Sequence, residues 1–241
     1  MFALRLVVSI VLVTTVFAQP VSLTLFAGYA NQLAYKGAPT WTGPSLIVGP
    51  FLAFFDNRLK LMGPGLAWSF FDREDAHQFE IGAGYSDGSN KPMIRLNDTV
   101  ESFRNKRRST INTNFKYAYR FGERNRFGLG IDIDREIHRF QGISTNLSFT
   151  APIIPLFSFK YNITIADKLS NQYAYGPEAS GGVGYHSYTI SNFIPFVPWT
   201  GRIINTLTYS VITQGSARHG DLVRGDYKNW IFITRWMWSI F

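Results

Sequence analysis

The chain has 241 residues, 46% apolar and 16% aromatic but only 17% charged, with no cysteine and a formal net charge of +8. Water-soluble domains carry about 25% charged residues, so an ordinary soluble surface is disfavoured. There is no disulfide framework, and no motif points to nucleic acid.

Met1 to Ala18 reads as a signal peptide. Arg5 supplies the positive start, Leu6 to Val13 the apolar run, and Val16-Phe17-Ala18 the small-x-small cleavage pattern ahead of Gln19-Pro20. A membrane anchor is the competing reading, but the stretch is short for a span and lacks a basic flank. Nothing later approaches an 18-residue apolar run, so residues 19–241 form one mature domain that hides its apolar residues by alternation.

Strands are expected over 21–30 and 45–55, joined by a long connection at 31–44. The turn Asp56-Asn57-Arg58 leads into a pair at 58–63 and 65–71 around Gly63-Pro64-Gly65. If that pair is one strand, the count falls towards ten. In 77–86, Phe79, Ile81, Ala83 and Tyr85 alternate with Glu80, Gly82, Gly84 and Ser86. The longest connection, 87–108, ends in the densest basic cluster, Arg104, Lys106, Arg107 and Arg108. A solvated loop explains the cluster. The sharper reading is contact with lipopolysaccharide phosphates, which guanidinium groups bind bidentately.

The next strand, 109–121, alternates Phe115, Tyr117, Tyr119 and Phe121 with Asn114, Lys116, Ala118 and Arg120. In 126–137, Phe127, Leu129, Ile131 and Ile133 alternate with Gly128, Gly130, Asp132 and Asp134. Strands at 143–153 and 156–166 follow, the latter with Phe157, Phe159, Tyr161 and Ile163 opposite Ser158, Lys160, Asn162 and Thr164. A connection at 167–179 carries Tyr173 and Tyr175, rings expected to fold down over the barrel. Strands at 180–195, 202–213 and 228–241 complete the chain, with a connection at 214–227. The terminal Phe241 closes an aromatic strand and resembles the signal read by the barrel-assembly machinery.

Side chains alternate between faces at period two, so each segment has one apolar face and one polar or tiny face. A soluble sandwich gives the same pattern. Aromatic-rich apolar faces, a polar face suited to a narrow lumen and the secretion signal favour an all-β, transmembrane, antiparallel up-and-down barrel of about twelve strands. Its place is then the outer membrane of a Gram-negative bacterium. Glu80, Lys116, Arg120, Asp132, Asp134, Glu136 and Lys160 are expected to face the lumen. They either cross-link it shut or form a mixed-charge constriction for small polar solutes.

Of the four histidines, His186 next to Ser187 cannot form a dyad by adjacency, because neighbours on a strand face opposite ways. His138, with Glu136 on the same face, reads as a solvated rim, and His219 lies in a loop. No catalytic residue, cofactor or metal site is expected.

Several segments resemble the MipA/OmpV family of outer-membrane proteins. Pro50 to Arg58, continuing through Leu61-Met62-Gly63-Pro64-Gly65-Leu66-Ala67-Trp68, is similar to that family's aromatic strand, tight turn and Gly-rich strand. Ile81 to Gly88 resembles its Gly-Tyr strand, and Tyr173 to Gly182 its aromatic outer loop. The resemblance implies a non-enzymatic scaffold or surface-contact barrel linked to peptidoglycan-remodelling enzymes. A narrow channel for small polar solutes is the alternative, and a lipid hydrolase or acyltransferase a third.

Overall fold

The computed structural model describes residues 22–72, 74–86, 94–95, 109–123, 126–138, 140–196, 201–223 and 226–239. The expected signal segment 1–18, the basic cluster Arg104, Lys106, Arg107 and Arg108, and the terminal Phe241 lie outside the described residues.

Twelve antiparallel staves close into a barrel: β1 (Ser22–Tyr35), β2 (Ala38–Phe54), β3 (Leu59–Met62), β4 (Gly65–Ser69), β5 (His77–Ser86), β7 (Thr110–Phe121), β8 (Phe127–Glu136), β9 (Ile143–Ile154), β10 (Phe157–Ala166), β11 (Gly182–Phe196), β12 (Gly201–Ile212) and β13 (Lys228–Ser239). A two-residue piece, β6 (Ile94–Arg95), pairs with β2 inside the barrel's circuit. Each stave otherwise pairs with its sequence neighbour, and β1 pairs with both β2 and β13 to complete the ring. Closure leaves no free sheet edge around most of the circumference, which is the condition for a sheet to sit in lipid. Among the described residues no helix is long and apolar enough to cross a membrane.

The pair around Gly63-Pro64 is a true hairpin: Met62 pairs with Gly65 and Leu59 with Trp68. Twelve staves therefore stand, not ten. The expected long connection at 31–44 is corrected. β1 runs on to Tyr35, β2 starts at Ala38, and only Lys36 and Gly37 turn between them, at φ 48° and 81°. Two successive positive-φ residues are what a two-residue hairpin turn matching strand twist needs. Glycine at 37 has a second cause, since a Cβ there would sit 3.2 Å from the Tyr185 ring.

Register fixes which face is which. Glu80, Lys116, Asp132 and Asn146 stand side by side on one face, and Ile81, Phe115, Ile133 and Thr145 on the other. The second face is the outer one. It exposes Leu25, Leu66, Ile81, Phe115, Leu129, Leu147, Ile190, Leu207 and Phe232. Tyr161, Tyr188, Tyr209 and Trp230 form an aromatic row across four adjacent staves, with ring centroids 5.1, 6.4 and 4.6 Å apart. An apolar, aromatic-banded exterior around a polar interior suits a bilayer, whereas water would leave a large apolar surface uncovered. The chain is a transmembrane barrel of the outer membrane.

The two ends differ. At one end the staves join through short turns, among them 55–58, 122–126 and 155–156. At the other end lie the long connections, which carry helices α1 (Lys168–Tyr175) and α2 (Gly215–Arg218). By the asymmetry of such barrels the first end is periplasmic and the second external. The cluster of fully buried apolar residues sits at the external end: Ala38, Ala174, Tyr175, Ala179, Ile212, Ala217 and Val223.

Candidate functional site

The interior is built by every second residue of each stave, so its chemistry follows from the polar half of the alternation. Lys60, on short stave β3, places Nζ 2.6 Å from Glu80 Oε2 on β5. Ser69 Oγ donates to the same carboxylate oxygen at 3.2 Å. Lys116 on β7 reaches Glu80 Oε1 at 3.6 Å. Glu80 is thus held between two ammonium groups, an arrangement that offsets the cost of removing a carboxylate from bulk water. Asp132 stands in register with Lys116. Asp134 accepts from Asn146 Nδ2 at 3.5 Å, and Asn146 in turn accepts from Thr164 Oγ1. Lys160 stands in register with Thr150 and Thr189 on the same inner face. Arg120 lies at the periplasmic end with Arg202.

Glu136 lies apart, at the external end of β8. Its side chain is 3% exposed, accepts from Tyr35 Oη at 3.3 Å and lies 3.9 Å from Lys36 Nζ. Lys36 also donates to Ser144 Oγ at 2.9 Å and to Ser170 Oγ at 2.8 Å. In the ring order, β8 is six staves from β1 in either direction, so the β1–β2 hairpin tip reaches across the mouth to the opposite wall. Two register irregularities, at Ala30/Gln32 and Leu33/Ala34, bend it there. Tyr175 Oη donates to Lys36 O at 2.9 Å, and Asn229 Nδ2 donates to Gly37 O at 2.8 Å. The tip is therefore bonded to α1, β8, β9 and β13, and the described residues form a buried, hydrogen-bonded cap across the external mouth.

Helix α1 fits under this hairpin because its neighbours lack side chains. Asp167 caps it by accepting from Ser170 N at 2.7 Å and also accepts from Ile143 N at 2.9 Å. A Cβ on Gly142 would lie 2.6 Å from Ser170 N, and one on Gly220 would lie 2.1 Å from Tyr175 O.

Below the cap the lumen holds two cavities in series. The periplasmic one, about 620 Å³, is lined by Thr24, Asn57, Lys60, Gln78, Arg120 and Arg202 among others. The upper one, about 300 Å³, is lined by Lys60, Glu80, Asn112, Asn114, Lys116 and Asp134 together with residues of the wall. Phe51, Lys60 and Met62 border both and mark the narrowing between them.

Sequence reasoning missed Lys36, because its turn was read as part of a loop, and Lys60, because its stave is only four residues long. The alternation Leu59, Leu61 against Lys60, Met62 carries the signal for the second. Tyr173 and Tyr175 are buried within the cap. His186 faces outward and contacts Tyr161 Oη through Nδ1, whereas Ser187 faces the lumen and accepts from Asn162 Nδ2 at 3.1 Å. His77 contacts Tyr117 Oη at 2.8 Å on the outer face, and His138 and His219 are exposed. Among the described residues no three His, Cys, Asp or Glu side chains are grouped to hold a metal ion.

No protein-family model matches the sequence, and no curated protein matches it significantly. Among solved structures, the chain is similar to the COG4313 outer membrane channel from Pseudomonas putida F1, at 7% identity and TM-score 0.41, covering 92% of this chain and 95% of that one. It is similar to the outer membrane channel DcaP of Acinetobacter baumannii, at 9% identity and TM-score 0.37, with 92% and 97% covered. It is also similar to the outer membrane protein OprD from Pseudomonas aeruginosa, at 12% identity and TM-score 0.38, with 91% and 66% covered. Likeness at this level carries no argument about solute, partner or activity.

Proposed function

We propose that this barrel is a narrow, non-enzymatic conduit for small polar solutes, resting in a state whose external mouth is shut. The observation that carries the reading is the pair of lumen cavities, with Lys60 bordering both and Glu80 and Lys116 beside it in the upper one. A mixed-charge constriction of this kind favours small zwitterionic or neutral polar solutes, because either sign of net charge meets its like within the same narrowing. The separation of His186 and Ser187 onto opposite faces supports a non-enzymatic role.

Planar-bilayer recording tests the reading. The intact chain should give small, infrequent conductance steps, and shortening the 33–40 hairpin should make them frequent. No steps from either protein would overturn it.

A scaffold of MipA/OmpV type is the second reading, supported by the sequence resemblance and by Phe70 and Phe71, exposed at the periplasmic connection after β4. Capture of peptidoglycan-remodelling enzymes by the intact barrel, lost with Phe70→Ser and Phe71→Ser, would favour it. Against it, the periplasmic turns offer little surface for a partner. The lipopolysaccharide contact of Arg104, Lys106, Arg107 and Arg108, and recognition of Phe241 by the assembly machinery, belong to the proposal as accessory features.

A further inference from the structure

The charges of the lumen are not spread evenly round the ring. The inward carboxylates of the staves, Glu80, Asp132, Asp134 and Glu136, all stand on β5 and β8, and Lys60 and Lys116 are bonded to the first of them. From β9 round through β13 and β1 to β2, no stave carries an aspartate or a glutamate. That wall nevertheless holds two inward arginines near its periplasmic end, Arg202 on β12 and Arg235 on β13.

Parity and register place both. Arg202 lines the periplasmic cavity of about 620 Å³ and pairs with Met237, which lines it too. Arg235 is two residues from Met237 on the same face and lies over Gly28, where a Cβ would come 3.0 Å from the arginine Cγ. Ile204 stands opposite Arg235, so the two arginines are diagonal neighbours across one pair of staves. Positions of that kind lie about 7–8 Å apart, within reach of long side chains. Two guanidinium groups so placed repel each other, and among the described residues no carboxylate is paired with either. A third guanidinium, Arg120, reaches the same cavity from β7, five staves from β12 in the ring. Thr24 and Asn57 add neutral polar groups to the lining, and Asp56 is the one carboxylate among its described residues, against Lys60, Arg120 and Arg202.

We infer that the periplasmic vestibule is an anion site, in which Arg202 and Arg235 clamp the oxyanion group of a small organic acid or phosphate monoester and Arg120 faces it across the cavity. Guanidinium binds carboxylate and phosphate oxygens bidentately, so an oxyanion between the two arginines replaces a repulsion with two charge-assisted contacts. The site deepens the conduit reading and rests on it for its role: Lys60, Glu80 and Lys116 above it oppose the passage of net charge, so the anion is held as a blocker and not carried through. Binding itself does not depend on conduction.

The test uses the full chain in phosphatidylcholine nanodiscs and isothermal titration calorimetry with succinate. Succinate should bind saturably, and succinamide, its uncharged counterpart of similar shape, should not. Arg202→Gln and Arg235→Gln should each weaken succinate about tenfold, the effect of losing one charge-assisted contact. Arg58→Gln, in a periplasmic turn and paired with Asp72, should leave binding unchanged. Succinate should also raise the melting temperature of the intact chain but not that of Arg235→Gln, a readout that shows the variant to be folded. Adding phosphatidylglycerol to the nanodiscs should not compete; displacement of succinate by that lipid would make this a headgroup site and overturn the assignment to a free solute. Absence of saturable binding, or equal weakening by Arg58→Gln, would overturn the inference outright. Conductance is recorded on the same preparations, where succinate should shorten the steps. Binding without steps would retain the site and remove the conduit, while steps without binding would do the reverse.

Discussion

The external and periplasmic ends of this barrel are made from the same alternating staves, yet one is a buried core and the other a wet vestibule. At the external end Tyr175, Ile212 and Val223 are fully buried, and Lys36 and Glu136 approach each other across the mouth. At the periplasmic end Lys60, Arg120 and Arg202 line a cavity of about 620 Å³. The lesson is that a barrel of this width does not fill itself. It is filled where a connection brings side chains in from above and stays hollow where turns are too short to do so. The energetic consequence is that charge substitutions near the cap should cost stability, while the same substitutions near the turns should alter the lumen.

The largest contrast is expected from Lys36→Met. It leaves Glu136 buried without its cation, a situation that costs about 3–5 kcal/mol. The variant should unfold at lower temperature and conduct more often, and pairing it with Glu136→Gln should recover much of the loss. A double variant as unstable as the single one would show that the ammonium matters through Ser144 and Ser170 instead.

Next comes Gly220→Ala, whose new Cβ would fall 2.1 Å from the Tyr175 carbonyl oxygen. Displacing α1 should cost about 2 kcal/mol and make the 167–181 connection cleavable by protease in intact membranes. Unchanged protease resistance would mean that the cap relaxes around the methyl group.

At the wetter pair, Lys60→Gln should cost no more than about 1 kcal/mol, because Lys116 remains beside Glu80. The expected change is in function: reversal potentials under a salt gradient should shift towards cation preference. An unaltered reversal potential, in a variant that still conducts, would place the narrowing elsewhere. Smallest of all, Arg107→Glu with Arg108→Glu should leave thermal stability untouched and weaken lipopolysaccharide binding by the purified barrel; unchanged binding would remove that contact.

Much of this was legible in one dimension. The strands with strict alternation, such as Phe115 to Phe121 against Asn114 to Arg120, lie within a residue or two of their expected places. The inner-face positions of Glu80, Lys116 and Asp132 follow from parity alone. The connection at 31–44 was not legible. Pro39 pairs with Ala34 in the β1–β2 ladder, and Gly43 and Pro44 fall at its register shift between Ala30 and Gln32, so strand pairing carries the chain through a stretch that local sequence does not mark as strand. Nor could any local pattern pair Lys36 with Glu136, one hundred residues apart along the chain.

What the amino-acid order determined by itself was which side of the strictly alternating staves meets lipid, because a period of two needs no knowledge of neighbours. Only the closed barrel decided which polar residues meet and where the interior is left open. Those outcomes depend on ring order, on the bend of the β1–β2 hairpin and on the shortness of β3 and β4 beside a longer β2. Distances across a ring are set by the whole circumference, and no segment of the chain carries that information alone.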